Sequence, residues 1–252
     1  MITRADIQLI RSLADKRART ETGLFVAEGA KLVGEIAESS LHVRHIYSSR
    51  EFAHPAFEPA SAKELERLSL LKTPSDTVAV VEIPHHRFDL EEAEHGLVLA
   101  MDEVQNPGNM GTIIRLADWF GISDIICTPN SADCFNPKVV QATMGAILRV
   151  RVHYLPLAEF LRRSAESGVA VYGTMLDGED IYDAELQPKG LIVMGNEGRG
   201  VSAECAASFT HRLLIPAFPP ERQGSESLNV AMATGIVCAE FRRRARGVIA
   251  SK

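Results

Sequence analysis

The chain has 252 residues, of which 46% are hydrophobic and 24% charged, and its 27 Lys and Arg residues against 33 Asp and Glu residues give a net charge of −6. This composition is typical of a folded globular protein and excludes an intrinsically disordered chain. The length allows one large domain or two modest ones. The negative charge argues against a general nucleic-acid coat protein, although it is compatible with a local basic patch.

Cellular location is indicated by the apolar and cysteine patterns. No stretch approaches the roughly 18 consecutive apolar residues of a membrane-spanning helix, and residues 1–6 lack the apolar run of a signal peptide. Four scattered cysteines, without a Cys-x-x-Cys pair, favour neither a zinc site nor a disulfide framework. We therefore expect a cytoplasmic protein that binds no metal and does not associate with a membrane.

Residues 84–96 are polar and read as a linker between a first domain, 1–83, and a second domain, 97–252. The first domain is predicted to be a small α/β unit. Its apolar and β-branched patterns predict strands at 24–26, 43–47 and 77–83, and helices at 7–13, around 32–36 and from Ser61 onward.

In the second domain, predicted strands alternate with predicted helices. The strands are 97–101, 124–127, 150–154, 169–174, 191–194 and 213–215, and the helices are 113–120, 138–147, 157–165 and 228–244. Alternation of this kind requires crossover connections and predicts a mostly parallel sheet. Ligands of such sheets usually lie outside the carboxyl ends of the strands.

Three segments follow predicted strand ends, and the first is 102–115, Asp-Glu-Val-Gln-Asn-Pro-Gly-Asn-Met-Gly-Thr-Ile-Ile-Arg. Its turn residues predict a helix start that Asn109 caps, which is a natural anion site. Arg115 adds a permanent charge with a planar fork that suits a phosphate. A structural turn with a solvated arginine fits these residues equally well.

The second segment is 195–200, Gly-Asn-Glu-Gly-Arg-Gly, whose glycines allow close approach of a ligand to the backbone. A glycine-rich turn held by Glu197 is the alternative. The third segment, 215–235, is a polar loop leading into a helix that Ser227 or Asn229 is predicted to cap. An ordinary capped core helix explains it as well.

Taken in order, the three segments resemble the SpoU family of RNA ribose methyltransferases. The motifs are Asn-Pro-x-Asn-x-Gly-x-x-x-Arg, Met-Gly-Asn-Glu-Gly-x-Gly and Ile-Pro…Ser-Leu-Asn-Val-Ala-x-Ala-x-Gly, and they extend over about residues 97–244. Residues 25–29 and 78–82 resemble the family's N-terminal substrate-binding domain. The resemblance implies an α/β fold with a trefoil-knotted, parallel-sheet methyltransferase domain and a smaller N-terminal α/β domain. It also implies S-adenosylmethionine (AdoMet) as the methyl donor and a homodimer.

The resemblance also implies a set of site residues. The catalytic positions are Asn109, Arg115, Ser227 and Asn229, and the cofactor positions are Thr174, Gly195, Glu197, Gly198, Ile215 and Leu228. Because arginine keeps its proton, Arg115 would hold the target phosphate and stabilise the developing alkoxide, with a substrate phosphate as the candidate proton acceptor. The connection 217–226 is longer than in the family and lacks its methionine after the proline, so only the ends of this loop are assigned.

The resulting hypothesis is a 2′-O-ribose methyltransferase of structured RNA, with ribosomal RNA preferred over transfer RNA because of the additional N-terminal domain. The same scaffold could methylate a base nitrogen, or act as a catalytically silent RNA-binding factor in ribosome assembly. The presence of both Asn109 and Arg115 favours catalysis.

Two surfaces are predicted in addition. Lys16, Arg17 and Arg19 form a basic cluster that we expect to contact RNA phosphates, unless the segment is a solvated polar loop. A symmetric dimer contact is expected on the motif helices, unless the residues concerned face the protomer's own core; they are Trp119, Phe120, Ala231, Ala233 and Gly235.

Overall fold

The computed structural model describes residues 2–89, 91–219 and 227–249, with the side chains of 246–249 excepted. Over this part of the chain, the protein packs as two compact units. The first is Met1–His85 with Asp133–Leu148, and the second is His86–Ala132 with Arg149–Lys252. Residues 133–148, which the sequence assigned to the second domain, therefore pack in the first unit, and the predicted division into functional domains stays a prediction.

The first unit is a four-stranded mixed sheet with helices around it. Its elements are α1 (Arg4–Ser12), α2 (Lys16–Thr22), β1 (Leu24–Glu28), α3 (Ala30–Ala37), β2 (Val43–Ser48), β3 (Phe57–Pro59), α4 (Ala62–Leu68) and β4 (Thr77–Glu82). The strand order is β1-β4-β2-β3, with β4 antiparallel to both of its neighbours and β3 parallel to β2. Apolar clusters lie on both faces of this sheet. As predicted, Ser61 begins a helix through a capping box with Glu64.

Two parts of the first unit differ from the prediction. The basic cluster is on a helix, α2, which begins at the Asp15 cap and ends at Gly23 with φ of 67°. The helix expected at 138–147 is α7 (Pro137–Thr143), which ends at Met144 in the left-handed conformation. The short 3-10 helix Ala146–Leu148 follows it.

The second unit contains a six-stranded sheet in which all neighbouring strands are parallel, which confirms the expected mostly parallel sheet. Its elements are α5 (Glu91–His95), β5 (Leu97–Met101), α6 (Pro107–Trp119), β6 (Asp124–Cys127), β7 (Arg151–Tyr154), α8 (Leu157–Glu166), β8 (Val171–Asp180), β9 (Gly190–Met194), α9 (Ala203–Ala206), β10 (His211–Leu214) and α10 (Val230–Ile249). The order is β10-β8-β9-β5-β6-β7, and every residue of β5 and β9 is buried. The knot stays a prediction.

Strand β8 continues beyond the predicted end at Thr174. Its pairing with β10 passes from Gly173 and Arg212 directly to Glu179 and Leu213, so residues 174–178 bulge out of the ladder. The chain therefore forms an irregular segment just where the strand was expected to end.

Helix α10 packs against α6, and its basic end is structural. Arg242 donates from Nε to the Phe120 carbonyl oxygen at 2.7 Å and from its terminal nitrogen to that of Gly121 at 2.9 Å. Hydrogen bonds from Arg243 and Arg244, opposed by partial burial, lower the pKa of Glu240 to about 2. None of the described helices is both long enough and apolar enough to cross a bilayer.

Candidate active site

Helix α6 starts next to the carboxyl end of β5. Asn106 caps it, because its side-chain oxygen accepts from the backbone N–H of Gly108 at 2.8 Å and of Asn109 at 3.1 Å. The expectation that Asn109 is the cap is wrong. Pro107 occupies the first helical position, which needs no N–H donor, so the cap falls on the residue before it.

The side chain of Asn109 is instead the centre of a hydrogen-bond chain that joins the three motif segments. Its amide nitrogen donates to Glu197, and its amide oxygen accepts from the Asn229 side chain at 3.0 Å. The Asn229 oxygen accepts from the N–H groups of Ala231 and Met232, so it caps α10 as predicted. Three of the residues singled out from the sequence therefore meet in one place.

The loop after β9 closes on itself as a tight hairpin. Asn196 and Gly200 exchange two backbone hydrogen bonds of 2.9 and 2.8 Å. A Cβ on Gly195 would lie 2.3 Å from the backbone of Gly200 and Val201, closer than real contacts allow. Glycine is required here for the hairpin itself, and a larger side chain would distort the loop.

The remaining cofactor positions lie at the same edge of the sheet. Strands β10, β8 and β9 are parallel neighbours, so the residues that follow them share one edge. Ile215 follows β10 directly, whereas Thr174 lies inside β8 at the start of its bulge and donates its hydroxyl to the Val193 carbonyl oxygen at 3.1 Å. Ile215 is half-buried and Leu228 is 51% exposed. Apolar side chains beside backbone polar groups suit an adenosine, whose ring faces are apolar and whose edges form hydrogen bonds, so these residues fit the nucleoside part of AdoMet.

Arg115 makes no hydrogen bond to the Asn109 chain among the described residues. Arg115 is exposed, and the described residues provide it with no hydrogen bond or ion pair. It follows Asn109 by six residues, about 1.7 turns of helix, and so projects from a different side of α6. Ser227 is exposed, two residues before Asn229.

The basic cluster divides into two environments. Lys16 and Arg17 are exposed on α2, and Arg17 pairs with Glu21 at 2.7 Å. Arg19 is only 2% exposed; it donates to the Leu13 carbonyl oxygen at 2.7 Å and to Asp133 at 2.9 and 2.5 Å. The prediction that Arg19 contacts RNA is therefore wrong, because its guanidinium is buried and bonded within its own unit.

Glu103 and Asn196 were not predicted as site residues. The Asn196 amide donates to the Glu103 carbonyl oxygen at 2.9 Å, and its oxygen accepts from the N–H groups of Gly198 and Arg199. No periodicity or spacing in one sequence indicates such a contact across 93 residues. Among the described residues there is no group of three or more His, Cys, Asp or Glu arranged to hold a metal, and the expectation of no metal stays a prediction.

Known proteins match the chain over nearly its whole length. The profile of the SpoU rRNA Methylase family matches residues 96–239, and that of the MRM3-like substrate binding domain matches residues 4–84. The 23S rRNA (guanosine(2553)-2'-O)-methyltransferase RlmP of Bacillus subtilis is 31% identical over 240 residues, which cover 92% of this chain and 94% of that protein.

Solved structures agree with this match. One is a Porphyromonas gingivalis protein assigned to the TrmH family of RNA methyltransferases. It is 39% identical, with a TM-score of 0.86, and the match covers 97% of this chain and 99% of that protein. The AdoMet-bound rRNA methyltransferase from Sinorhizobium meliloti is 28% identical with a TM-score of 0.83, covering 97% and 96%.

The fold and site thus define an α/β protein in which three sequence motifs converge at the carboxyl edge of a parallel sheet. The chain belongs to the SpoU rRNA methylase family.

Proposed function

We propose that this protein is an AdoMet-dependent methyltransferase that modifies a ribose 2′-hydroxyl of ribosomal RNA. The observation that carries the proposal is the Glu197–Asn109–Asn229 hydrogen-bond chain, which gathers all three motif segments at one edge of the sheet. The Bacillus subtilis relative is named for this activity on 23S rRNA. The described thiols are buried and no described helix could span a membrane, which is compatible with work on ribosomal RNA in the cytoplasm.

The cofactor would lie against Thr174, Ile215 and Leu228, with the 195–200 hairpin closing one side. AdoMet supplies an electrophilic methyl group on a sulfonium. The AdoMet-bound state of the Sinorhizobium meliloti relative supports this choice of donor. Glu197 accepts from Asn109, so we assign it to holding the hairpin against α6.

Arg115 would bind the phosphate next to the target ribose and stabilise negative charge as the hydroxyl loses its proton. Its exposure without a described protein partner leaves the guanidinium available for that contact. Asn109, Ser227 and Asn229 would orient the reacting ribose. A phosphate oxygen of the substrate is the proposed proton acceptor, because arginine holds its own proton.

RNA would be positioned by the first unit. Lys16 and Arg17 remain as the exposed cations of the predicted cluster, and phosphate contacts of this kind position RNA without reading its sequence. The match of residues 4–84 to a substrate binding domain supports this role for the predicted domain 1–83.

We also propose a homodimer formed through α6 and α10. Trp119 is 84% exposed and Met232 is 63% exposed, which is unusual for large apolar side chains. Ala231 is buried, and a Cβ on Gly235 would lie 3.5 Å from Leu116, so these two positions serve the protomer's own packing. The exposed side chains of Trp119 on α6 and Met232 on α10 are therefore the candidate contact with a second copy of the chain.

The test is methyl transfer from labelled AdoMet to separate pools of ribosomal and transfer RNA, followed by nucleoside analysis. Label in a 2′-O-methyl nucleoside of the ribosomal pool supports the proposal. Label in a methylated base or in transfer RNA points to another activity of the scaffold. RNA binding without label points to a silent assembly factor.

A further inference from the structure

Glu103 has an unusual backbone conformation. Its φ is 56°, and among the described residues only Met144 shares a positive φ without being glycine. Side chains other than glycine are disfavoured in this left-handed region, where Cβ crowds the backbone. Residues held in such conformations cluster at functional sites, where the surrounding structure determines them.

All of the hydrogen-bonding groups of Glu103 are used. The carboxylate accepts from Arg199 at 2.5 Å and from the Asn130 side chain. The backbone N–H donates to the Thr128 hydroxyl at 2.9 Å, and the backbone carbonyl accepts from Asn196 at 2.9 Å. One residue thus connects the loops that follow β5, β6 and β9.

Two of these contacts converge on the 195–200 hairpin. Asn196, held by the Glu103 carbonyl, accepts from the N–H groups of Gly198 and Arg199 and so shapes the turn. Arg199, held by the Glu103 carboxylate, restrains the far side of the same turn. Glu197 lies between these two anchored residues, and its carboxylate accepts from Asn109.

We propose that Glu103 is a positioning residue that fixes the 195–200 hairpin, so that Glu197 stays in reach of Asn109 and the hairpin stays closed on the cofactor side. The inference rests on the proposed function for its catalytic consequence, but the effect on cofactor binding is independent of the RNA substrate. A small displacement of positioning groups is enough to lower the rate of a reaction strongly.

The alternative is that Glu103 and Arg199 form an ordinary surface ion pair, which contributes little in isolation. Arg199 is 69% exposed, so the pair is accessible to solvent. The two interpretations differ for Glu103→Gly. Glycine adopts this φ without strain, so removing the side chain should leave the melting temperature unchanged or raise it. Only the positioning role predicts that cofactor affinity and turnover fall at the same time.

The experiment compares the wild type with Glu103→Gly, Glu103→Gln and Arg199→Ala in the full chain. AdoMet affinity is measured by calorimetry, the melting temperature by scanning calorimetry, and kcat and KM on ribosomal RNA. We expect Glu103→Gly and Arg199→Ala to weaken AdoMet binding and lower kcat by about tenfold each, with KM for RNA unchanged. Glu103→Gln keeps an acceptor oxygen, so its AdoMet affinity and kcat should lie between those of these two variants and those of the wild type.

The matched control is Arg162→Ala, which removes an exposed ion pair with Glu166 of 2.6 Å on α8 and should change none of these quantities. Wild-type AdoMet affinity and kcat in Glu103→Gly overturn the proposal. A decrease in AdoMet affinity and kcat that is accompanied by a comparable loss of thermal stability overturns it as well. If the wild type binds AdoMet but does not methylate ribosomal RNA, the proposed function fails, and the change in AdoMet affinity still decides the role of Glu103.

Discussion

Two arginines of this chain have opposite environments. Arg115 and Arg19 both stand in segments that predict phosphate contact, yet Arg115 is exposed and Arg19 is buried. The difference comes from Asp133, a partner 114 positions away that no local pattern indicates. We therefore propose phosphate binding for Arg115 only, whereas Arg19 stabilises the first unit through its ion pair with Asp133.

The proposed role of Arg115 predicts the effect of Arg115→Lys. Lysine keeps the charge but loses the planar fork, so kcat on ribosomal RNA should fall at least about tenfold. The melting temperature should stay at the wild-type value, since the described residues make no ion pair with Arg115. Steady-state kinetics and calorimetry measure both, and wild-type turnover in this variant would show that the assignment is wrong.

Arg19→Met tests the buried ion pair. Methionine retains much of the apolar stem but leaves Asp133 without its buried partner, which typically costs about 3–5 kcal/mol of unfolding free energy. Urea denaturation measures this loss. Lys16→Gln with Arg17→Gln is the matched variant at exposed positions, and it should lower RNA affinity and salt dependence while leaving stability unchanged. Wild-type stability in Arg19→Met would contradict the structural role.

Glu28 predicts a pH effect in the first unit. The buried Glu28 carboxyl accepts from the Ser69 hydroxyl at 2.6 Å and the Leu70 N–H at 2.7 Å. Burial raises its pKa above the usual value, and these hydrogen bonds oppose the shift. The folded state therefore binds this proton more tightly than the unfolded state. Its contribution to stability is full below the unfolded pKa and is lost as pH rises through the folded pKa.

Glu28→Gln keeps an acceptor oxygen and cannot ionise. Relative to the wild type, the variant should gain stability as the pH is raised from about 4 to about 8, by the linkage argument above. Denaturation curves at several pH values give the difference in unfolding free energy. A difference that is constant with pH, or that falls as pH rises, would contradict the raised pKa.

At the scale of the elements, the hairpin after β9 gives a further prediction. Gly195→Ala places a methyl group 2.3 Å from the Gly200 backbone, so the turn must open. Overpacking of this kind costs about 1–3 kcal/mol, and here it should also weaken AdoMet binding. Gly34→Ala on α3, in the first unit, is the control, because nothing lies within 4 Å of a Cβ at that position. Equal AdoMet affinities for the two variants would disprove the close approach at Gly195.

Sequence patterns predicted the buried strands of the second unit well. Strands of a parallel sheet are covered on both faces, so they are continuous apolar runs, as at 97–101 and 191–194. Sequence patterns do not indicate which segments pack together where tertiary contacts decide the outcome. Residues 133–148 pack in the first unit, where Phe135 lies against Phe25 with ring centroids 4.8 Å apart. The cap of α6 was misplaced by three residues, although Pro107 was a usable local signal.

Much of the candidate site could also be predicted, since Asn109, Glu197 and Asn229 were selected by their motifs and meet in the structure. Glu103 could not, because neither its left-handed φ nor its contact with Arg199 has a signature in a single sequence.

For the whole molecule, the proposed dimer predicts the effect of Trp119→Glu. A charge in an apolar contact is costly, so the variant should be monomeric at micromolar concentration, whereas the wild type should have twice the monomer mass. The melting of the monomer itself should be little affected, since Trp119 is exposed. Leu176→Glu, at another exposed apolar residue, is the control. A monomeric wild type by light scattering would contradict the dimer.

The central claim is that this chain methylates a ribose of ribosomal RNA, and its most direct test uses RNA from cells with and without the protein. A 2′-O-methyl group removes the nucleophile that cleaves the adjacent phosphodiester bond in alkali, so a methylated position resists hydrolysis. Mapping should reveal a resistant position in wild-type ribosomal RNA that is lost without the protein and restored by the wild-type chain, but not by Arg115→Lys at equal abundance. Identical hydrolysis maps from both cells would contradict the account.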